Sequence, residues 1–238
     1  MTSPPIALVT GGNRGLGLEI CRLLAARGHT VLLGSRDRQA GTTAAKLLAT
    51  ENRTVTPIQL DVTDPATIDR ARDQIAADHG RLDVLVNNAG IFGTTPIDGD
   101  LDDIRAIFAV NLFGAWQTTV AFQELLEASG HGRVVNVSSG VGSFGTPEGI
   151  SNERSVPPAY PISKAALNAF TVRLAIDWRD NRILVNAACP GFIATFPGAE
   201  QLGARPVSDG ADSIVWAATL PDDGPTGGLF RDGQPLPW

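Results

Sequence analysis

Short apolar runs alternate with longer amphipathic stretches along this 238-residue chain, and that rhythm restricts the fold more than any other feature. Ile6–Val9, Thr30–Leu33, Val55–Leu60, Val84–Val86, Val134–Val137 and Leu184–Ala188 read as buried strands, with a last short strand near Leu229-Phe230. Between them, Leu16–Arg27, Asp37–Ala49, Pro65–Asp78, a long stretch from Asp102 to Ala128, Ile162–Arg179 and Ser208–Thr219 read as helices. Strands that are apolar throughout need cover on both faces, and parallel neighbours need crossover connections, which the intervening helices supply. Right-handed crossovers then predict an α/β chain with a doubly wound parallel sheet of about seven strands and helices on both faces. No internal repeat or linker interrupts the pattern, so residues 1–238 are expected to form a single domain.

Composition narrows the function. A hydrophobic content of 43% provides for a full core, and a net charge of −6 argues against general affinity for nucleic acid or anionic membrane. There is no apolar run of membrane-spanning length, and the N-terminus lacks the basic start and apolar stretch of a signal peptide, which predicts a cytoplasmic protein. Cys21 and Cys189 are too few and too far apart for a disulfide framework. His29, His79 and His131 are scattered without metal-ligand spacing, so no metal is expected.

The loop after the first strand is Thr10-Gly11-Gly12-Asn13-Arg14-Gly15-Leu16-Gly17. Glycines there permit a tight turn and close approach of the backbone to a pyrophosphate, whose charge meets the positive end of the following helix. The sheet is therefore expected to be Rossmann-type, with this loop as its phosphate cradle. At the end of the second strand an acidic residue would bind a ribose 2′-hydroxyl, whereas a basic one would accept a 2′-phosphate. That strand ends Gly34-Ser35-Arg36-Asp37-Arg38, with Ser35 at the position of the acid and Arg36 next. Arg36 and Arg14 can fork onto one phosphate, which favours NADP(H) over NAD(H), although a shift of register would make Asp37 the ribose ligand.

Two loops break the rhythm at carboxyl ends of strands, where open α/β sheets bind ligands. Gly140–Ala159 is rich in Gly, Ser and Pro, and 190–207 is rich in Pro and Gly. The first leads into the chain's only tyrosine, in Tyr160-Pro161-Ile162-Ser163-Lys164. Nine Phe and four Trp show that aromatic rings are not avoided, so the lone Tyr points to a use for its hydroxyl. Positions i and i+4 share a helix face. A cation at about 4 Å supplies on the order of 4 kcal/mol at a surface-like dielectric, enough to bring a phenol from about 10 towards 7–8. Pro161 requires Tyr160 to lie in the first helical turn, where the helix dipole also favours phenolate.

Taken together, Thr10-Gly-x3-Gly-x-Gly17, Asp61-Val62, Asn87-Asn88-Ala89-Gly90, Asn111, Ser138-Ser139, Tyr160-x3-Lys164 and Pro190-Gly191 follow the order seen in short-chain dehydrogenases/reductases. The chain resembles that family over nearly its whole length, and more finely its single-domain, carbonyl-reductase-like branch. The resemblance implies that Gly11, Asn13, Arg14, Gly15, Leu16 and Gly17 cradle the cofactor phosphates, that Asp61 and Val62 hold the adenine, and that Asn88 contacts the adenine-side ribose. The Asn87–Gly90 segment, with Ala89, would brace the central strand. Tyr160 would be the acid, Lys164 would bind the nicotinamide ribose and lower the tyrosine pKa, and Asn111 would hold a water of a proton relay. Ser139 would hydrogen-bond the substrate carbonyl, leaving Ser138 satisfied by backbone, and Thr195 would meet the nicotinamide carboxamide beside Pro190 and Gly191. Phe196-Pro197 stands where many relatives carry an acidic residue after that threonine, which bears on the shape of the lid.

The expected activity is hydride transfer from NADPH to a ketone or aldehyde, with 190–207 as the substrate lid. The alternatives are alcohol oxidation or enone reduction on the same scaffold, and a non-catalytic NADP(H) sensor. Phe92, Phe144, Phe192, Phe196 and Trp238 are candidates for an apolar pocket. The resemblance leaves monomer and homo-oligomer equally open.

Overall fold

The computed structural model describes residues 3–94, 96–152 and 156–238. Its strands are β1 (Ile6–Val9), β2 (Thr30–Ser35), β3 (Val55–Gln59), β4 (Val84–Asn87), β5 (Arg133–Val137), β6 (Leu184–Ala188), β7 (Leu229–Arg231) and β8 (Gln234–Leu236). They form one sheet in the order β3-β2-β1-β4-β5-β6-β7-β8, parallel throughout except for the β7–β8 pair. The helices are α1 (Gly15–Ala26), α2 (Arg38–Thr50), α3 (Pro65–His79), α4 (Leu101–Phe108), α5 (Ala115–Ala121), α6 (Gln123–Ser129), α7 (Ala159–Asp177) and α8 (Val207–Ala218). The strand order reverses between β1 and β4, and this switch point opens a crevice at the carboxyl ends of the strands.

Alternating side chains of each strand feed two cores. Ile6, Leu8, Leu32, Leu85, Val134 and Val185 pack with Ile68 and Ile75 of α3, Leu126 of α6, and Leu167 and Leu174 of α7. Ala7, Val9, Val31, Leu33, Val86 and Val135 pack on the other face with Ile20 and Leu24 of α1, Leu48 of α2 and Ile214 of α8. Both sheet edges carry proline, Pro57 in β3 and Pro235 in β8, where the missing donor costs no ladder bond.

Two elements of the fold depart from the sequence reading. The eighth strand is formed by the C-terminal residues folding back through Asp232-Gly233, both at positive φ (52° and 74°), the tight turn that closes a two-residue hairpin. The expected continuous helix from Asp102 to Ala128 is instead α4, a π-helical segment Ala109–Gly114, α5 and α6. Gly114 allows the π segment to press against Val62, a contact any side chain there would block. Phe122, fully buried with φ −96° and ψ 3°, then ends α5. π turns in helices recur at functional sites, and this one carries Asn111. No described helix is long and apolar enough to cross a membrane.

Candidate active site

The cradle forms where β1 gives way to α1. Gly11 has φ +63°, and Gly12 N donates to Gly34 O at 2.8 Å, tying the loop to β2. A Cβ on Gly17 would collide with the Gly11 carbonyl and the Asn88 amide, so only glycine lets α1 approach this closely. Arg14, at the N-cap of α1, makes no side-chain cap, and the first turn holds no acidic residue. The first N–H groups of α1 are thus left for an anion, flanked by Asn13 and the exposed Arg14 and Gly15. Leu16 packs partly buried against the core beneath. These features fit a dinucleotide pyrophosphate. Gly17→Ala should destabilise the fold by about 1–3 kcal/mol and weaken NADPH binding, read by denaturation and fluorescence titration.

At the far end of β2 the structure gives Asp37 a structural task. Its Oδ1 accepts from Ala40 N at 2.9 Å and caps α2, so the carboxylate serves the helix. Ser35 is buried and donates to Asp37 O at 2.7 Å. Arg36 and Arg38 are exposed and, with Arg14, form no salt bridge among the described residues. Asp61 Oδ1 accepts from Thr63 N (2.9 Å) and Thr63 Oγ1 (2.7 Å), which fixes the turn that carries buried Val62.

The segment after β4 braces the centre. Asn87 Nδ2 donates to Asn136 Oδ1 and Thr119 Oγ1, both at 2.8 Å. Asn88 Nδ2 donates to Thr10 O (2.8 Å) and Gly11 O (3.2 Å), while Thr10 Oγ1 accepts from Asn88 N (3.0 Å) and Ala89 N (2.9 Å). Both amide hydrogens of Asn88 therefore hold the cradle. Asn111 is similarly engaged. Its Oδ1 accepts from Ile91 N at 2.8 Å, and its Nδ2 donates to Ile91 O and to Ser163 Oγ, both at 3.0 Å. Gly90 lies between Asn111 Oδ1 and Lys164 Nζ, with its Cβ position 3.4 and 3.7 Å from them.

Tyr160 is in the first turn of α7, as Pro161 requires, and Ser163 Oγ donates back to its carbonyl at 2.7 Å. The phenol hydrogen-bonds the Ser139 side chain, and the Phe92 ring lies 4.8 Å from the phenol ring at 48°. Lys164 is almost fully buried. Its Nζ is 5.7 Å from the tyrosine ring centroid and donates to Val137 O at 2.8 Å. Here the electrostatics differ from expectation. Burial pushes the Tyr160 hydroxyl up to about 12, with a contribution from the Cys189 sulfur, and the Ser139 hydrogen bond only partly offsets it. Burial also pushes Lys164 down to about 8. The cation was expected to lower the phenol, but burial is the largest cause of both shifts and moves each group towards its neutral form. Ser138 differs too: its Oγ donates to Asn168 Oδ1 at 2.5 Å, a partner on α7 and not the backbone.

The 190–207 loop leaves β6 through buried Pro190 and through Gly191 at φ +76°. It is pinned by an Ile193–Arg205 bridge, with Ala194 N to Arg205 O at 3.0 Å, and Arg205 grips Asp232 with both Nη atoms at 2.7 and 3.0 Å. Thr195 is exposed at the base of the tip, next to the exposed Phe196. Phe192 and Phe196 stand 6.5 Å apart. The sequence reading singled out neither Cys189 nor Arg231 for the site. Cys189 Sγ, buried, receives Gly140 N (3.1 Å), Gly191 N (3.3 Å) and Arg231 Nη2 (3.1 Å). No spacing rule links these positions, which meet only through the order of the strands.

A hydroxyl pair, a buried ammonium and a glycine cradle thus meet at the switch point of a doubly wound sheet. The sequence profile of the short chain dehydrogenases matches residues 5–203, and this chain belongs to the short-chain dehydrogenase/reductase family. It is 33% identical to (+)-neomenthol dehydrogenase of Capsicum annuum over a 305-residue alignment covering 96% of each chain. Carbonyl reductase [NADPH] 1 of Mus musculus is 31% identical, with 100% of this chain and 99% of that protein covered. Among solved structures, salutaridine reductase from Papaver somniferum superposes with a TM-score of 0.81 at 30% identity, covering 96% of this chain and 99% of that one. A gluconate 5-dehydrogenase from Burkholderia cenocepacia J2315, in complex with NADP and tartrate, gives 0.84 at 26% identity, covering 98% and 95%.

Proposed function

We propose that this protein is an NADPH-dependent reductase of ketones and aldehydes, with Tyr160 as general acid. The observation that carries the reading is the placement of the Tyr160 phenol in the first turn of α7, beside Ser139 and the Phe92 ring, with the buried Lys164 Nζ 5.7 Å from its ring centroid; burial pushes the phenol up to about 12. At neutral pH that hydroxyl is protonated. An alkoxide is a far stronger base than a phenolate, so proton transfer to a nascent alkoxide is downhill even from a raised phenol. Alcohol oxidation needs the phenolate, whose population at pH 7 is about 10⁻⁵ at such a pKa.

The first turn of α1 and Gly11–Gly17 would hold the pyrophosphate of the cofactor, Val62 and Asp61 its adenine, Lys164 the nicotinamide ribose, and Thr195 with Pro190-Gly191 the carboxamide. NADPH, when bound, supplies the hydride. Ser139 and Tyr160 both donate to the carbonyl oxygen as charge develops there. After Tyr160 has given its proton, Lys164, still mostly charged at pH 7, is the nearest cation to stabilise the phenolate and feed a proton back past Gly90 and Asn111. The 190–207 loop acts as a lid over a substrate bordered by Phe92, Phe192 and Phe196, all more than half exposed and ready to be covered by an apolar body.

Arg36 and Arg14 would take the 2′-phosphate, because Asp37 is committed to capping α2. The mouse carbonyl reductase [NADPH] and the Burkholderia gluconate 5-dehydrogenase in complex with NADP support the same choice. Arg36→Glu should weaken NADPH binding about tenfold to a hundredfold, the loss of a charge-assisted hydrogen bond, and leave NADH binding nearly unchanged. Titration of both cofactors checks this; equal loss for both would remove Arg36 from the phosphate site. The activity itself is tested by NADPH consumption over a panel of cyclic, aromatic and aliphatic ketones. Saturable NADPH binding without turnover on any of them would favour the sensor alternative.

A further inference from the structure

Arg231, the last residue of β7, reaches across the carboxyl ends of β6 and β5. Its Nη2 donates to Cys189 Sγ at 3.1 Å and pairs with the Glu148 carboxylate. Burial raises the Glu148 carboxyl, but the Arg231 hydrogen bond, a backbone hydrogen bond and the Arg231 charge together bring it below its ordinary value. Cys189 Sγ also collects Gly140 N and Gly191 N, so one sulfur and one guanidinium tie together the loop after β5, the loop after β6 and the C-terminal hairpin. Gly140 is wedged against this pair: a Cβ there would lie 2.6 Å from Arg231 Nη2 and collide with Glu148. Its carbonyl is held by Thr146 Oγ1 at 2.7 Å.

Gly140 follows Ser139, whose Oγ hydrogen-bonds Tyr160 and accepts from Val141 N at 3.3 Å. The backbone on the far side of Ser139 is thus set by the Arg231 guanidinium. A second strap runs in parallel, since Ser143 Oγ donates to Pro237 O at 2.7 Å and accepts from Gly145 N and Thr146 N. The Glu148 partner sits in the segment that leads to Tyr160.

We propose that Arg231 is a positioning residue of the catalytic centre: through Glu148, Cys189 and Gly140 it fixes Ser139 against the Tyr160 hydroxyl, making the C-terminal hairpin part of the active site. This rests on the reading that Ser139 and Tyr160 carry the chemistry. Both contacts come from the single nitrogen Nη2, which donates to the carboxylate and to the sulfur at once, so a lysine ammonium placed there would keep the charge but reach the two partners less well.

The test is a double-mutant cycle in the full chain, reading kcat and KM for ketone reduction with NADPH binding measured separately. Arg231→Met should lower kcat about tenfold or more, with the NADPH Kd within about twofold of wild type; Arg231→Lys should restore part of kcat, and Glu148→Gln should reproduce part of the loss. In a Ser139→Ala background Arg231→Met should add almost nothing, because the residue it positions is already gone. A wild-type kcat in Arg231→Met, or the same fold-loss with and without Ser139, would overturn the proposal. If Arg231→Met does not fold, Arg231→Lys and Glu148→Gln, each alone and with Ser139→Ala, decide by the same criterion. Full activity in Tyr160→Phe would remove the underlying reading and this proposal with it, whereas loss in Tyr160→Phe beside an unaffected Arg231→Met would remove this proposal alone.

Discussion

Replacing Tyr160 by Phe should lower kcat for ketone reduction by about 10²–10⁴-fold, the range a positioned general acid contributes, while leaving NADPH affinity within a factor of about three. The ring is retained, so its contact with Phe92 survives and only the hydroxyl is lost. Ser139 then has no phenol to bond, and a nascent alkoxide must draw its proton from solvent. The pH dependence should be equally marked. With the phenol near 12, reduction needs no ionisation of Tyr160 below pH 10, whereas the reverse reaction needs the phenolate and should be seen only in alkali. Reduction should decline as pH rises through about 8, where Lys164 loses its proton. Stopped-flow single turnovers of both proteins with a saturating ketone separate this chemical step from product release. Turnover in Tyr160→Phe at the wild-type rate would assign the proton to another donor.

The second large effect is on stability. Lys164 falls from 10.5 to about 8 on folding, through burial, so between these values the unfolded chain binds the extra proton. Stability contributed at this position therefore rises with pH across that window, by about 3 kcal/mol for a displacement of some 2.5 units. Below pH 8 both states are charged and the burial cost is carried in full. Other groups work in the opposite sense: burial raises Cys21 above its ordinary 9.0 and Tyr160 above 10.0, so both lose stability as pH rises past those values. Subtracting Lys164→Met isolates the lysine. The free-energy difference, wild type minus variant, should climb by about 3 kcal/mol from pH 7 to 10.5 in urea denaturation. A flat difference would mean that burial does not destabilise this ammonium. A buried charge retained at such cost is easiest to understand as a functional group.

How much of this was legible in the sequence depended on whether the signal was local. Strand and helix positions followed from apolar runs and helical periodicity, and the glycine loop and Tyr160–Lys164 spacing are short-range patterns that the fold preserves. Boundaries set by tertiary packing were not legible. The π segment around Asn111 depends on Gly114 meeting Val62, and β8 is a three-residue, proline-bearing edge strand whose only sequence sign is Asp232-Gly233. That Asp37 caps α2 is visible only in the structure. The direction of the Tyr160 shift was missed because spacing places a cation near the phenol but says nothing of the water removed from both. Cys189 and Arg231 come from segments far apart in sequence, brought together by the order of the strands.

The most direct test of the central claim is hydride transfer followed by label. NADPH carrying deuterium at the transferable C4 position is incubated with the protein and a bulky cyclic ketone that supports turnover, and the product is analysed by mass spectrometry and NMR. The account predicts one deuterium on the carbinol carbon, and an unlabelled hydroxyl proton that exchanges with solvent. Label at a former alkene carbon with the carbonyl intact, or NADPH oxidation with no label in any product, would contradict it.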